Sequence, residues 1–263
     1  MPSSDNDFSL VETVKPFLQH LDDLRRALVW SATALAIGMG IAGYFAPTLF
    51  TLVKAPLKGI VLNGVPINPD TFVRTLDVTG GMSVALLTIF WGGVLLSTPA
   101  ILFSICWFVF PALTLRERRT LLGGLLFAIF LFIAGVVMCY FMALRPALEI
   151  MLWFNAWLGI GIEYFTVTSY TGFVLKLLLS FGLTFELPMV LLILGHLGII
   201  NSKQLRDKRR HAMVIILIIS AIITPTQDPF CQLLLAVPLV ALYELCIWMI
   251  WAKERKHSAI MNR

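Results

Sequence analysis

The stretch TGFVLKLLLSFGLTFELPMVLLIL, residues 171–194, decides the fold of this chain. Apart from Lys176, Glu186 and a few small polar side chains its residues are apolar, and about 20 such residues rising 1.5 Å each match a ~30 Å hydrocarbon core. The stretch therefore predicts a transmembrane helix. Glu186 is its most informative residue, because a carboxylate at the bilayer centre costs on the order of 2.5–3.5 kcal/mol and must face protein or water.

Small residues and a helix breaker surround Glu186. Ser180 and Gly182 precede it and Pro188 follows it, so a kink is expected close to the carboxylate. One interpretation is that Glu186 only satisfies a neighbouring donor. Because ionisable residues inside membranes usually mark functional sites, we expect instead that it makes an intramembrane polar contact used in function.

Composition agrees with a membrane protein. The chain has 263 residues, of which 59% are hydrophobic and 13% charged, and its mean hydropathy is +0.88. These values are typical of polytopic helical membrane proteins and exclude an ordinary soluble domain. The cysteines lack C-x-x-C spacing and the histidines form no H-E-x-x-H motif. We therefore expect no metal, no cofactor and no nucleic-acid partner.

Six apolar segments predict the architecture, an all-α integral membrane protein with an irregular six-transmembrane-helix bundle. They are residues 28–50, 81–110, 121–144, 170–194, 212–223 and 229–251. The last two helices are expected to be short, because the fifth segment ends at Thr224-Pro225 and the sixth soon meets Glu244. The alternative is a sixth helix that runs to Trp251 with Glu244 buried, and the sequence leaves it open.

The basic residues are distributed unevenly over the connections. Most lie on one side: Lys15, Arg25, Arg26, Arg116, Arg118, Arg119, Lys203, Arg206, Lys208, Arg209, Arg210, Lys253, Arg255, Lys256 and Arg263. The other side has only Lys54, Lys58, Arg74 and Arg145, with Lys176 near a helix end. The positive-inside rule then predicts that both termini are cytoplasmic.

The two ends of the chain complete the predicted organisation. Residues 1–27 are expected to form an amphipathic arm at the membrane interface. The membrane region follows over residues 28–251, and residues 252–263 are expected to form a cytoplasmic tail. The first apolar run is too long for a cleaved signal and no Arg-rich transit peptide precedes it. A multi-pass protein of a bacterial inner membrane is therefore expected.

Several short motifs resemble one family along almost the whole chain. They are His20-Leu21-Asp22-Asp23-Leu24-Arg25, Ala55-Pro56-Leu57, Pro111-Ala112-Leu113 before Glu117-Arg118-Arg119, Ser180-Phe181-Gly182 before Phe185-Glu186-Leu187-Pro188, Leu205-Arg206 before Arg209, Thr224-Pro225 before Asp228-Pro229-Phe230 and Gln232, and Leu242-Tyr243-Glu244. In this order and spacing they resemble TatC, the polytopic receptor subunit of the twin-arginine protein translocase. One departure is Asp23, where the family usually has Glu.

The resemblance implies a single TatC-like domain over residues 1–263 that is not an enzyme. Such a protein binds twin-arginine signal peptides at its cytoplasmic face. With TatA- and TatB-type single-span subunits it supports export of folded cargo, driven by the proton-motive force, and self-association is expected as well.

The resemblance assigns the signal-binding site to Asp23, Arg25 and Glu117. Planar guanidinium groups match carboxylates bidentately, and Arg25 beside Asp23 would keep that carboxylate ionised. The alternative is that Asp23 and Glu117 pair with their own arginines. Partner docking is expected at Thr224, Asp228 and Gln232.

Two other functions compete with translocation. A small secondary transporter would use Glu186 and Lys176 as an ion relay, but these residues are ~15 Å apart along a helix and no inverted repeat is evident. An intramembrane enzyme would need a nucleophile with its base or a metal-ligand cluster, and the apolar segments have neither.

Overall fold

The computed structural model describes the backbone of residues 5–62, 65–109, 115–161, 163–196, 200–224 and 229–261. Side chains are described for residues 21–61, 65–105, 123–161, 163–192, 194–195, 200–224, 229–252 and 254–255. The helices of these residues are α1 (Asp5–Tyr44), α2 (Ala46–Lys54), α3 (Pro69–Phe72), α4 (Gly80–Val109), α5 (Leu115–Met138), α6 (Leu144–Trp157), α7 (Val167–Thr184), α8 (Leu187–His196), α9 (Ser202–Asp207), α10 (Arg209–Ile223) and α11 (Pro229–Met261). The two-residue strands are β1 (Val61–Leu62), β2 (Val65–Pro66), β3 (Val73–Arg74) and β4 (Phe165–Thr166).

All six predicted segments are helical. Five stretches of the described chain are long and apolar enough to cross a membrane: Leu21–Tyr44, Gly80–Ile105, Gly123–Trp157, Val167–Leu192 and Pro229–Ala252. The fifth predicted segment corresponds to α10, which has 15 residues. The prediction of a polytopic helical membrane protein is confirmed, and α10 is short as expected.

The predicted arm is continuous with the first span. α1 runs for 40 residues from Asp5 to Tyr44, so the helix has no break at residue 27 that would let an arm turn along the interface. α1 packs along α4 at a close crossing, where a Cβ on Gly93 would lie 2.6 Å from Met39 Cγ. Near the other end of the pair, Ser104 Oγ donates to the Ala27 carbonyl at 3.0 Å.

The third span is longer than predicted. A five-residue π turn, Cys139–Ala143, joins α5 to α6 without interruption. The predicted segment ended at Leu144, and Arg145-Pro146 follows it. The helix is continuous there, since Leu144 N donates to the Cys139 carbonyl. The π turn lies just before Pro146, where a regular α-helix would need the missing proline N–H. The proline is therefore tolerated.

The fourth span breaks where Pro188 predicted a kink. α7 ends at Thr184 and α8 begins at Leu187, so Pro188 occupies the first turn of the second helix. α7 is the central helix of the bundle, and most of its residues are buried. It packs tightly on α5: a Cβ on Gly182 would lie 2.5 Å from Phe132 Cε2.

The sixth helix contradicts the prediction of a short last span. α11 has 33 residues and continues through Pro238 and past Glu244 to Met261. The acid does not end the helix because Arg209 Nη2 donates to Glu244 Oε2 at 2.6 Å. The alternative of a full-length sixth helix was correct, although Glu244 is only partly buried.

An ordered cap covers the other end of the bundle, built from α2, a 3₁₀ turn (Ala55–Leu57), α3 and the short strands. β1 pairs antiparallel with β2, and β3 pairs parallel with β4. Tyr170 Oη donates to the Val53 carbonyl at 2.8 Å, and Arg145 Nη2 donates to the Gly59 carbonyl at 2.9 Å. The cap is thus hydrogen-bonded directly to α7 and α6.

Candidate functional site

Asp23 and its neighbours lie near the start of the first span. Asp22 is held by Arg26 at 3.3 Å, one helical turn away. Asp23 is half-buried and makes no ion pair with any residue that the structure describes. Asp22 therefore pairs with an arginine of its own helix, whereas the carboxylate of Asp23 has no ionic partner among the described residues.

A shallow cavity of about 240 Å³ adjoins this turn of α1. Its lining residues are Asp22, Arg25, Arg26, Val29 and Trp30. Arg25 is exposed there, and Trp30 is 71% exposed. The cavity thus combines charged groups with an apolar wall, which is the character expected of a surface that receives a charged peptide with an apolar continuation.

Glu117 lies at the same end of the bundle as Asp23. Asp23 is one turn before Ala27, which Ser104 contacts near the end of α4. α4 ends at Val109 and α5 begins at Leu115, so Glu117 is in the first turn of α5. The side chain of Glu117 lies outside the described residues. The helices therefore bring the two predicted positions to the same end of the bundle.

Glu186 lies at the break between α7 and α8. It is 9% exposed, and neither carboxylate oxygen accepts a hydrogen bond from a described residue. Its backbone remains satisfied, because Glu186 N donates to Leu183 O at 3.1 Å and Val190 N donates to Glu186 O at 3.2 Å. Within the described chain, then, Glu186 does not serve a neighbouring donor.

Lys176 is the second ionisable group of this span, and its location differs from the one expected. It lies in the middle of α7 and not near a helix end. Its Nζ is 5.5 Å from the ring centroid of Trp91 on α4. A lysine at the bilayer centre costs on the order of 2.5–3.5 kcal/mol, whereas a cation–π contact contributes about 0.5–2 kcal/mol. The ring therefore offsets only part of the cost.

The predicted docking residues lie on the α10–α11 hairpin. Gln232 is partly buried, and its Nε2 donates to the Leu217 carbonyl at 2.9 Å. Thr224 is 5% exposed and donates to the Ser220 carbonyl at 2.8 Å. Asp228 lies outside the described residues. Thr224 and Gln232 are thus brought to the same hairpin, but Thr224 faces inward.

Two polar groups around this hairpin, Ser180 and Ser220, were given no contact with it in the sequence analysis. Ser180 Oγ on α7 donates to the Ile223 carbonyl at 2.9 Å and ties the end of α10 to the central helix. Ser220 is fully buried, and its Oγ has no partner among the described residues. Small residues in apolar helices give little sequence signal, and only the packing identifies them.

A second cluster missed from the sequence joins α9 to α11. Ser202 donates from its backbone N to Glu254 Oε1 at 3.0 Å and from its Oγ to Glu254 Oε2. Tyr243 Oη donates to the Leu205 carbonyl at 2.8 Å. The extended part of α11 thus holds the connection before α10. A single sequence does not predict a contact between side chains 52 residues apart, such as Ser202 and Glu254.

The residues that the structure describes contain no group of three or more His, Cys, Asp or Glu side chains able to hold an ion.

Comparisons with known proteins agree with one another. The family model described as "Sec-independent protein translocase protein (TatC)" matches residues 19–238. The Aquifex aeolicus protein of that name is 35% identical over 247 residues, covering 94% of this chain and 99% of the relative. The Deinococcus radiodurans protein of that name is 38% identical over 230 residues, covering 88% and 83%.

A solved structure supports the same assignment. The crystal structure of the twin arginine translocase receptor TatC matches with a TM-score of 0.72 and 36% identity, over 89% of this chain and 98% of that one. Sequence and fold thus agree over most of both chains. This chain belongs to the TatC family, as a multi-pass membrane protein and core subunit of the Sec-independent protein translocase.

Proposed function

We propose that this protein is the signal receptor of a twin-arginine translocase in a bacterial inner membrane. It binds paired arginines of a signal peptide through Asp23 and Glu117 at the cytoplasmic face. Together with TatA- and TatB-type subunits it then supports export of folded proteins, driven by the proton-motive force. The observation that carries the proposal is the half-buried Asp23 carboxylate, which no described residue pairs.

Charge and geometry explain why arginines suit this site. Arg carries a planar fork of donors that binds a carboxylate through two parallel hydrogen bonds, whereas Lys carries a compact point charge. Arg25 lines the adjoining cavity. Beyond the charged turn, Val29 and Trp30 offer an apolar surface for the hydrophobic part of a signal.

Co-purification with a folded precursor tests the receptor role. The full chain, expressed with its partner subunits, should retain a precursor whose signal carries Arg-Arg. It should lose the same precursor when the pair is changed to Lys-Lys. Equal retention of the two precursors would contradict recognition of twin arginines. Retention of neither would contradict a receptor role.

The α10–α11 hairpin is the proposed docking edge for single-span subunits, through the region of Thr224, Asp228 and Gln232. Gln232 supports this because its Oε1 accepts no hydrogen bond from a described residue and remains available to a partner. Thr224 is buried, and its hydrogen bond to the Ser220 carbonyl stabilises the end of α10. Unsatisfied polar groups at membrane depth favour association with a helix that satisfies them.

Cysteine crosslinking tests this edge in a background without the native cysteines. Ala221 is exposed on α10 and Gln232 is partly exposed on α11. A cysteine at either position should form a disulfide with a cysteine in a partner's transmembrane helix. Crosslinks that form only from α1 would move the docking edge to the first helix. Crosslinks between two copies of this chain would reveal self-association there.

Both termini are proposed to be cytoplasmic. The connection around α9 supports this, since Lys203, Arg206, Lys208 and Arg210 are all exposed on it. A reporter active only outside the cytoplasm should be active when fused at Gly159, in the turn after α6. A reporter active only in the cytoplasm should be active after α11. The reverse pattern at either position would overturn the topology.

A further inference from the structure

Lys176 is an uncompensated cation deep in the fourth span. The span runs from Val167 to Leu192, so Lys176 is at least ~14 Å from either end at 1.5 Å per residue. Trp91, which its amine contacts, is likewise near the middle of the span Gly80–Ile105. The side chain of Lys176 therefore extends across to α4 at mid-depth and does not reach towards a headgroup region.

The described protein supplies no anion to this lysine. Lys176 forms no ion pair with a described residue, in contrast to Lys54 and Arg145, which pair with Asp70 and Glu149. α4 and α2, which pack on α7, contain no Asp or Glu. Glu186 is ~15 Å further along the axis, beyond direct contact.

A second copy of this chain is not a suitable source of the anion. The acids within its candidate spans include Glu149, which pairs with Arg145, and Glu244, which pairs with Arg209. Glu186 is buried inside the fold. Asp22 and Asp23 lie at the first turns of their span, far from mid-depth.

The exposed residues around Lys176 form a narrow line along the helix, of the kind against which a second helix can pack. Within the span 167–192, the exposed residues are Ser169, Lys176, Leu183 and Val190. On α7 the exposed Ser169, Lys176 and Leu183 recur every seven residues, which is two helical turns, so they form one narrow stripe on an otherwise largely covered helix. A seven-residue repeat is the spacing at which one helix packs along another. Lys176 is the only charged residue of the stripe.

We propose that Lys176, with Trp91 beside it, is the docking site for a carboxylate carried at mid-membrane by the single transmembrane helix of a partner subunit. The partner helix packs along the α7 stripe of Ser169, Lys176 and Leu183, and its Asp or Glu pairs with the Lys176 amine. A buried acid and a buried base in a membrane satisfy each other best as a pair. This site is separate from the α10–α11 edge and rests on the proposed function for the existence of single-span partners.

The depth of Lys176 favours a helix-borne acid over a lipid phosphate. Lysine side chains near helix ends can reach the interface, but this amine is held over a ring in the middle of two spans. A partner helix brings a carboxylate to that depth together with apolar side chains that can pack on Leu183.

Charge reversal across the pair provides the test. The probe is a TatB-type subunit whose transmembrane helix carries one Glu at mid-depth, compared with the same subunit carrying Gln or Lys there. It is co-expressed with the full chain, and the partner retained on purification is measured. Lys176→Gln should reduce retention of the Glu-bearing subunit about tenfold, Lys176→Glu should reduce it further, and Lys176→Arg should keep most of it. The Lys-bearing subunit should be retained by Lys176→Glu and not by the parent.

Controls separate this inference from folding and from the proposed function. Lys203→Gln removes an exposed lysine on α9 and should leave retention unchanged. Precursor capture by each variant, measured in the absence of the partner, should match the parent, which shows that the receptor face is intact. If Lys176→Glu retains the Glu-bearing subunit as well as the parent does, the docking site is wrong even when precursor capture is normal. If Lys176→Glu instead loses a bound phospholipid and keeps the subunit, a lipid phosphate occupies the site and the inference is overturned.

Discussion

Arg209 at the start of α10 donates to Glu244 in α11 at 2.6 Å, and this pair links the two helices of the last hairpin. About two-thirds of each side chain is buried by its neighbours, with 39% and 33% of its surface exposed. The pair also explains why α11 can continue past an acid towards Met261. The hairpin presents the proposed docking edge, so its geometry depends on this contact.

Breaking the Arg209–Glu244 pair should loosen the hairpin. Arg209→Met leaves a partly buried carboxylate alone and should lower stability by about 1–2 kcal/mol, and Glu244→Gln should do so by a similar amount. Because the two residues share one contact, the double variant should cost less than the sum of the single variants. Thermal unfolding in detergent measures this. Additive losses would show that the pair does not couple.

Close packing at Gly182 should make even one added methyl group harmful. A Cβ there would lie 2.5 Å from Phe132 Cε2 and 2.9 Å from Val136 Cγ2, and Phe132 is only 2% exposed. Gly182→Ala is expected to destabilise the bundle by about 1–3 kcal/mol. The matched control is Gly123→Ala on α5, which has nothing within 4 Å of its added Cβ. Equal stability of the two variants would contradict the tight crossing of α5 and α7.

Glu186 should act in assembly or transport more than in folding. Glu186→Gln preserves shape and hydrogen bonding and should keep most export activity, whereas Glu186→Ala removes the polar group and should lose it. Export of a twin-arginine precursor is the readout, with membrane level as the control. Failure of Gln as complete as that of Ala would show that a change of protonation is required. Full export by the Ala variant would remove Glu186 from the mechanism.

The Lys54–Asp70 pair should make the stability of the cap depend on pH. Lys54 Nζ lies 2.5 Å from Asp70 Oδ1, and this hydrogen bond, with the charge of Lys54, lowers the pKa of Asp70. A carboxyl with a lowered folded pKa stabilises the fold above its unfolded pKa, and this contribution is lost as pH falls through the folded value. Asp70→Asn should therefore lower the unfolding temperature at neutral pH, and the difference from the parent should shrink below about pH 4. A difference that grows in acid would contradict the pairing.

The sequence predicted the spans well and the polar contacts poorly. Long apolar runs identify membrane helices because backbone N–H and C=O groups in lipid must form their hydrogen bonds within a helix. Pro188 correctly indicated the helix break beside Glu186. The length of α11 was missed because Glu244 looked like an end, and its compensation by Arg209 is a long-range contact. The continuation of the third span past residue 144 was missed because it depends on a π turn, which has no sequence signature.

The candidate site was accessible to sequence reasoning only where motifs exist. Asp23 and Glu117 were identified through the family resemblance, and the structure adds that Asp22, and not Asp23, is paired with a neighbouring arginine. The mid-membrane position of Lys176 was misjudged because the start of α7 cannot be located from hydropathy alone. The partners of Ser202 and Ser180 depend on packing between helices distant in sequence.

Crosslinking of a twin-arginine precursor to the full chain tests the central claim most directly. Loss of one charge-assisted contact costs about 1.5–3 kcal/mol, so Asp23→Ala and Glu117→Ala should each reduce crosslinking at least tenfold at unchanged membrane level. Asp22→Ala, which removes the neighbouring acid already held by Arg26, is the matched control and should keep most of the crosslinking. Precursor binding that survives the combined Asp23→Ala and Glu117→Ala substitutions would contradict the receptor site.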